Sequence, residues 1–161
     1  MSTTHVKLTK TIVEIQGKGY VQFNLIDKPS IPPSSLKPDQ VAIQILASPI
    51  NPSDIGPLFS PSHGGIGKFD NARTTVDGNG RPVTLLPIPG VGKYPPSLLG
   101  RAVSVGNEGA GHVVAAGTHA RHLVGKLVSY VGGGSYSQQV VRDASSVLVP
   151  VKTLLLQWTT I

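Results

Sequence analysis

Cysteine is absent from the 161-residue chain. That excludes disulfides, a thiol nucleophile and any thiolate-ligated zinc, and it leaves the redox compartment open. Aromatic residues are scarce, at 5%, too few to interleave with cations as a platform for stacked bases. Charged residues reach only 14%, and the 14 Lys and Arg behind the net charge of +6 are scattered without a run of three. A basic stripe of the kind that follows a phosphate backbone is therefore missing, and no nucleic-acid partner is expected. No apolar run approaches the roughly 20 residues of a membrane-spanning helix, so no membrane partner is expected either. No secretory leader is visible, since Met1 to His5 lead straight into alternating sequence; a cytoplasmic location follows as the expectation.

What remains is a chain with 39% hydrophobic residues, 19 Gly and 14 Pro. That is enough apolar material for one domain with a real core, and the turn-formers favour short strands over helices. Val6 and Leu8, followed by Ile12, Val13 and Ile15, predict a strand with a slip or bulge near Thr11. Gly17-Lys18-Gly19 signals a turn, and 20–26 predicts the partner strand of a hairpin. Residues 29–38 hold Pro29, Pro32, Pro33 and Pro38, which cannot donate ladder bonds, and read as a loop. Residues 40–48 alternate cleanly, with Val41, Ile43 and Ile45 on one face; Pro49 ends the strand, and Ser53 or Asp54 can cap a short helical turn after it. Periodicity is lost over 59–98 except at Val83-Thr84-Leu85-Leu86. That stretch predicts a surface excursion with a short hairpin, or a lid beside an active site. Strand character returns at 102–105, 111–116 and 126–131, with a last strand through Val140-Val141 and Val147-Leu148-Val149. The sum is a mainly β fold, a partly open β-barrel with short helical turns.

Several motifs bear on chemistry. Gly106, Gly109 and Gly111 fit Gly-x-x-Gly-x-Gly rather than the dinucleotide fingerprint, and strand residues rather than a helix follow them. They read as bends or close backbone approaches, not as a phosphate loop. His112, His119 and His122 share no helix face and read as exposed or edge histidines, so no metal site is expected. The Gly132-Gly133-Gly134-Ser135-Tyr136-Ser137 run lacks the second glycine of a hydrolase nucleophile elbow.

The order of these segments is informative. Asn51-Pro52-Ser53-Asp54 comes first, then the Gly106–Gly111 run with Val113 to Gly117, then Gly125 to Tyr130, and finally Ser135 to Val141. Over residues 20–150 this resembles the catalytic domain of the medium-chain dehydrogenase/reductases, in the zinc-free, quinone-oxidoreductase-like branch. The resemblance implies that residues 1–150 form a GroES-like barrel, the substrate half of an NAD(P)H-dependent oxidoreductase reducing a quinone, an enone or an activated alkene. It implies NADP or NAD as cofactor in the whole enzyme and a small-molecule substrate. Family members continue into a Rossmann cofactor domain that this sequence does not contain. A truncated chain, inactive alone and binding no cofactor by itself, is therefore expected, and its cofactor-binding residues are unknown.

By the same resemblance, Asn51 would hydrogen-bond near the reacting carbonyl or the cofactor amide, and Asp54 would hold the turn. Glu108 would either orient the active-site floor or tie down a β-corner. Asn107 stands where zinc-dependent relatives carry a histidine ligand. Phe59 and His63 join Asn107 as candidates for the substrate cleft. Some relatives carry a tyrosine proton donor after the Asn51 turn, and none matches here; Tyr94 and Tyr136 are other candidates, with Tyr136 expected to pack on the barrel. Residues 151–161 depart from the family pattern. Their apolar set (Val151, Leu154, Leu155, Leu156, Trp158 and Ile161) predicts self-association. The alternative is a non-enzymatic β-barrel that serves as a protein-interaction module.

Overall fold

A computed structural model describes residues 4–59, 71–93 and 95–150. The chain opens with a long hairpin, β1 (Thr4–Ile15) against β2 (Lys18–Pro29). Gln16 and Gly17 join them, with φ of 52° and 74°. Positive φ at both positions is the turn geometry whose twist matches the strands it connects. The pairing runs without interruption from Thr4 opposite Pro29 to Ile15 opposite Lys18, so the predicted slip near Thr11 does not occur. The apolar pattern shifts for another reason. His5 and Thr9 are buried on one face of the hairpin, whereas Ile12 and its partner Val21 are buried on the other. The strands twist, and each half of the hairpin covers a different part of the interior.

The remaining elements are β3 (Gln40–Ala47), α1 (Pro52–Phe59), β4 (Arg73–Val76), β5 (Pro82–Ile88), β6 (Val103–Ser104), β7 (Glu108–Ala116), β8 (Leu127–Val131), β9 (Gln139–Asp143) and β10 (Val147–Leu148). They build two five-stranded sheets, in the orders β4-β5-β2-β1-β6 and β10-β8-β7-β3-β9. Ile12, Val21, Leu86 and Ile88 form the core of the first. Val41, Ile43, Val113, Leu123, Val128 and Tyr130 belong to the core of the second. Between the sheets, the Leu8 N–H donates to the Tyr136 carbonyl at 2.8 Å and the Gln138 N–H to that of Val6 at 2.9 Å. Among the described residues α1 is the one α-helix. The expected mainly β, partly open barrel with short helical turns is what the chain forms.

Two expectations need correction. The stretch 59–98 is more than a surface excursion: β4 and β5 pair as a hairpin, β5 adds to β2, and Val83, Leu86 and Ile88 are buried in the interior. The last predicted strand is two strands, because a 3-10 turn at Ala144–Ser146 separates β9 from β10. β3 forms as predicted, but bulges between Ala42 and Ile43 and between Ile45 and Ala47 interrupt its pairing with β7. Val41, Ala42 and Ile43 are consecutively buried as a result.

Candidate functional site

The site grows from the N-terminus of α1. Pro52 sits at the first helical position, where its fixed φ and missing N–H cost nothing. Asn51 is therefore the cap residue, and Asp54 lies three positions on. The Asp54 carboxylate reaches back to the Asn51 N–H (2.8 Å to Oδ2), one half of a capping box. Its other oxygen, Oδ1, accepts the backbone N–H of Asn107 at 2.9 Å. One carboxylate thus ties the helix start to the glycine corner that leads into β7. Asp54 is 1% exposed. A buried carboxylate is tolerated only when its oxygens are hydrogen-bonded, and here both are.

The corner that Asp54 grips is close-packed. Gly106 has φ of +87°, and a Cβ there would lie 2.4 Å from Ser135 Oγ and 2.7 Å from Tyr136 Cδ1. A Cβ on Gly109 would meet the Tyr130 ring, and one on Gly111 would lie 2.0 Å from the Gln44 carbonyl oxygen. These glycines let strands and loops approach one another, as their spacing predicted, and none is left over to cradle a phosphate. Beneath the corner, Ser48 Oγ donates to the Glu108 carbonyl at 2.7 Å and lies 2.8 Å from Ser135 Oγ. A hydroxyl has one hydrogen, so Ser135 is the donor in the second bond.

Around Asp54 the structure gathers three of the predicted residues, Asn51, Asn107 and Glu108. Asn51, half-buried, shows no hydrogen bond from its carboxamide among the described residues. Asn107 Nδ2 donates to Ser53 Oγ at 3.3 Å. Glu108, next in sequence, is half-buried, and its carboxylate forms no hydrogen bond or ion pair among the described residues. Phe59 is the last residue of α1; its side chain and the whole of His63 and Tyr94 lie outside the described residues.

Tyr136, a candidate donor that was expected rather to pack on the barrel, joins the group. Its hydroxyl donates to the Pro49 carbonyl at 3.3 Å. Burial raises its pKa, and the Asp54 charge acts in the same direction. The ring that blocks a Cβ at Gly106 therefore also presents a phenol beside the carboxylate. Its place in Ser135-Tyr136, directly after three glycines, was the available sequence signal.

His112, His119 and His122 are exposed, and His119 Nδ1 meets Asp39 Oδ1 at 2.9 Å. Among the described residues no three His, Asp or Glu side chains could hold a metal ion, and no helix is long and apolar enough to cross a membrane.

Two antiparallel sheets curled into a partly open barrel, with a capped helix against a glycine corner, define a GroES-like β fold. Solved structures share it, two of the following three being reductases in name. A double mutant of Etr1p, in its apo form, matches with a TM-score of 0.54 and 19% identity over 92% of this chain. An enzyme assigned as an NADPH:quinone reductase of Bacillus thuringiensis matches at 0.51 and 23% over 92%. The CurK enoyl reductase matches at 0.50 and 16% over 92%. The chain spans about a third of the length of each: 34%, 34% and 36%. The GroES-like fold expected above is thus a fold this chain shares with these proteins. No protein-family model and no curated protein matches it.

Proposed function

We propose that the chain is the substrate-binding catalytic domain of an NAD(P)H-dependent reductase of quinones, enones or activated alkenes. The observation that carries this reading is the Asp54 clamp. It fixes the α1 N-terminus against the Asn107 backbone and leaves the Asn51 carboxamide half-buried with no partner of its own among the described residues. A carboxamide offers a donor and an acceptor on one rigid group, which fits either a substrate carbonyl or the amide of a nicotinamide. The residues fit that group, and NAD(P)H would supply the hydride. Asn51 would then orient the acceptor and Asp54 would hold Asn51. The Tyr136 hydroxyl, on the Pro49 carbonyl two residues before Asn51, is a further donor on this side of the helix start. Without a metal, polarisation of the substrate carbonyl falls to such preorganised donors. The test is a fusion of residues 1–150 to the nucleotide-binding domain of a medium-chain reductase, assayed for NADPH oxidation with a quinone and with an enone. Turnover that falls at least about tenfold in Asn51→Ala, a loss of about 1.4 kcal/mol in transition-state binding, supports the reading. A correctly folded fusion that turns over neither acceptor refutes it.

One observation favours the second reading, a barrel that binds a partner protein. Val131 and Leu148, 68% and 70% exposed, lie with the exposed Leu127 on one face of the second sheet. Such a face also suits self-association of the chain in a cytoplasmic setting. Sedimentation of a single species at monomer mass across a wide concentration range would remove the self-association part.

A further inference from the structure

Away from the Asp54 clamp, a cleft of about 460 Å³ opens between β1, β6, β9 and the glycine triplet. Three cations line it, Lys7, Arg101 and Arg142, together with Ser104, Gly133 and Gly134, and among the described residues no carboxylate does. The ion pairs among the described residues, Arg81 with Asp27 and His119 with Asp39, lie elsewhere. The side chains of Lys7 and Arg101 form no hydrogen bond or ion pair among the described residues. Asp143, next to Arg142, faces a different depression with Lys37 and Asp39.

Arg142 is held in place by three contacts. Its Nη1 donates to the Val141 carbonyl at 2.7 Å, its Nη2 donates to the Gly133 carbonyl, and its guanidinium lies 4.5 Å over the Tyr130 ring. Its Nε is buried and makes no hydrogen bond. That nitrogen lies 3.9 Å from where a Cβ on Gly132, another residue of the cleft wall, would sit. Gly132, Gly133 and Gly134 all have positive φ, at 141°, 84° and 72°. This keeps the wall free of side chains and lets a ligand approach the backbone closely. Lys7 responds to the same field: burial lowers its pKa, and the positive charges of Lys28 and Arg142 lower it further.

We propose that this cleft binds the phosphoryl group of a small phosphorylated molecule. Phosphate matches a fixed guanidinium, a mobile ammonium and a hydroxyl set around a glycine wall, and it carries the charge to balance more than one cation. A lone carboxylate answers one cation and leaves most of the volume empty. The site stands apart from the reductase reading and does not depend on it.

Titration of the full chain with inorganic pyrophosphate at low salt tests this, by calorimetry and by amide NMR. The expected result is saturable binding that shifts Ser104, Gly133 and Gly134, weakens about tenfold in Lys7→Gln and again in Arg101→Gln, and is unchanged in Asn51→Ala. Both basic substitutions lie at half-buried or exposed positions and should leave the fold intact, which the same NMR spectra check. Absence of saturable heat, equal affinity in the Lys7→Gln/Arg101→Gln double variant, or shifts spread evenly over basic residues across the surface would each overturn the proposal.

Discussion

Removing the Asp54 carboxylate should cost this fold a large part of its stability. In Asp54→Ala the N–H groups of Asn51 and Asn107 lose their acceptor. The position is 1% exposed, so water does not simply replace it. An unsatisfied buried donor costs about 1–3 kcal/mol, so two cost about 2–6 kcal/mol, against a total stability of about 5–15 kcal/mol for a domain of this kind. At about 2–4 °C per kcal/mol, the middle of that range lowers the melting temperature by about 8–16 °C. Asp54→Asn keeps one acceptor oxygen but turns an NH₂ toward the other N–H, and should lose about half as much. Asn107→Ala is the control. Asp54 holds the backbone of residue 107, not its side chain, so this change removes only the 3.3 Å contact with Ser53 and should cost under about 0.5 kcal/mol. Urea unfolding of the three variants measures all of this, with the Asn107 amide shift as a local reporter. Asp54→Ala within about 0.5 kcal/mol of the parent would refute the clamp.

The glycine corner predicts a contrast between two substitutions at similar φ. Gly106→Ala adds a Cβ 2.4 Å from Ser135 Oγ, whereas Gly80→Ala, also at positive φ, meets nothing within 4 Å. Gly80→Ala should cost about 1 kcal/mol of backbone strain and Gly106→Ala clearly more, about 3 kcal/mol or above; equal urea midpoints would show that packing at Gly106 is unimportant. His5 supplies a pH dependence. Burial is the main cause that lowers its pKa below 6.5, with Lys7 and Lys28 adding to it and a hydrogen bond to the Pro29 carbonyl opposing it. The unfolded chain then binds the proton more readily, so stability falls as pH drops through about 6.5 and levels off below the folded-state value. In His5→Gln the difference between urea midpoints at about pH 7.5 and about pH 5 should shrink; an unchanged difference would assign the effect to other groups.

Legibility differed from element to element. β3 and β7 were readable because their alternation is regular, and the glycines at 106, 109 and 111 because close approach leaves few other residue types possible. The hairpin was misread near Thr11 because burial of His5 and Thr9 on one face and of Ile12 on the other mimics a slip; only the long-range packing tells the two apart. β5 was reduced to a hint at Val83 to Leu86 because Pro82 and Pro87 bracket it. That Asp54 would hold its own turn could be anticipated from Asn51-Pro52-Ser53-Asp54. Its second bond, to an amide 53 residues away, carries no local signal. Neither does the stacking of Arg142 on Tyr130, or the approach of Tyr136 to Asp54, since each depends on the barrel closing.

The most direct test of the central claim is an amide NMR titration of the full chain with a small stable enone such as 2-cyclohexenone. The account predicts saturable shifts confined to Asn51, Ser53, Asn107, Glu108 and Tyr136, and their loss in Asn51→Ala while the rest of the spectrum is unchanged. Saturable shifts centred on Leu127, Val131 and Leu148 instead, or none at these five residues up to the solubility limit of the enone, would contradict it.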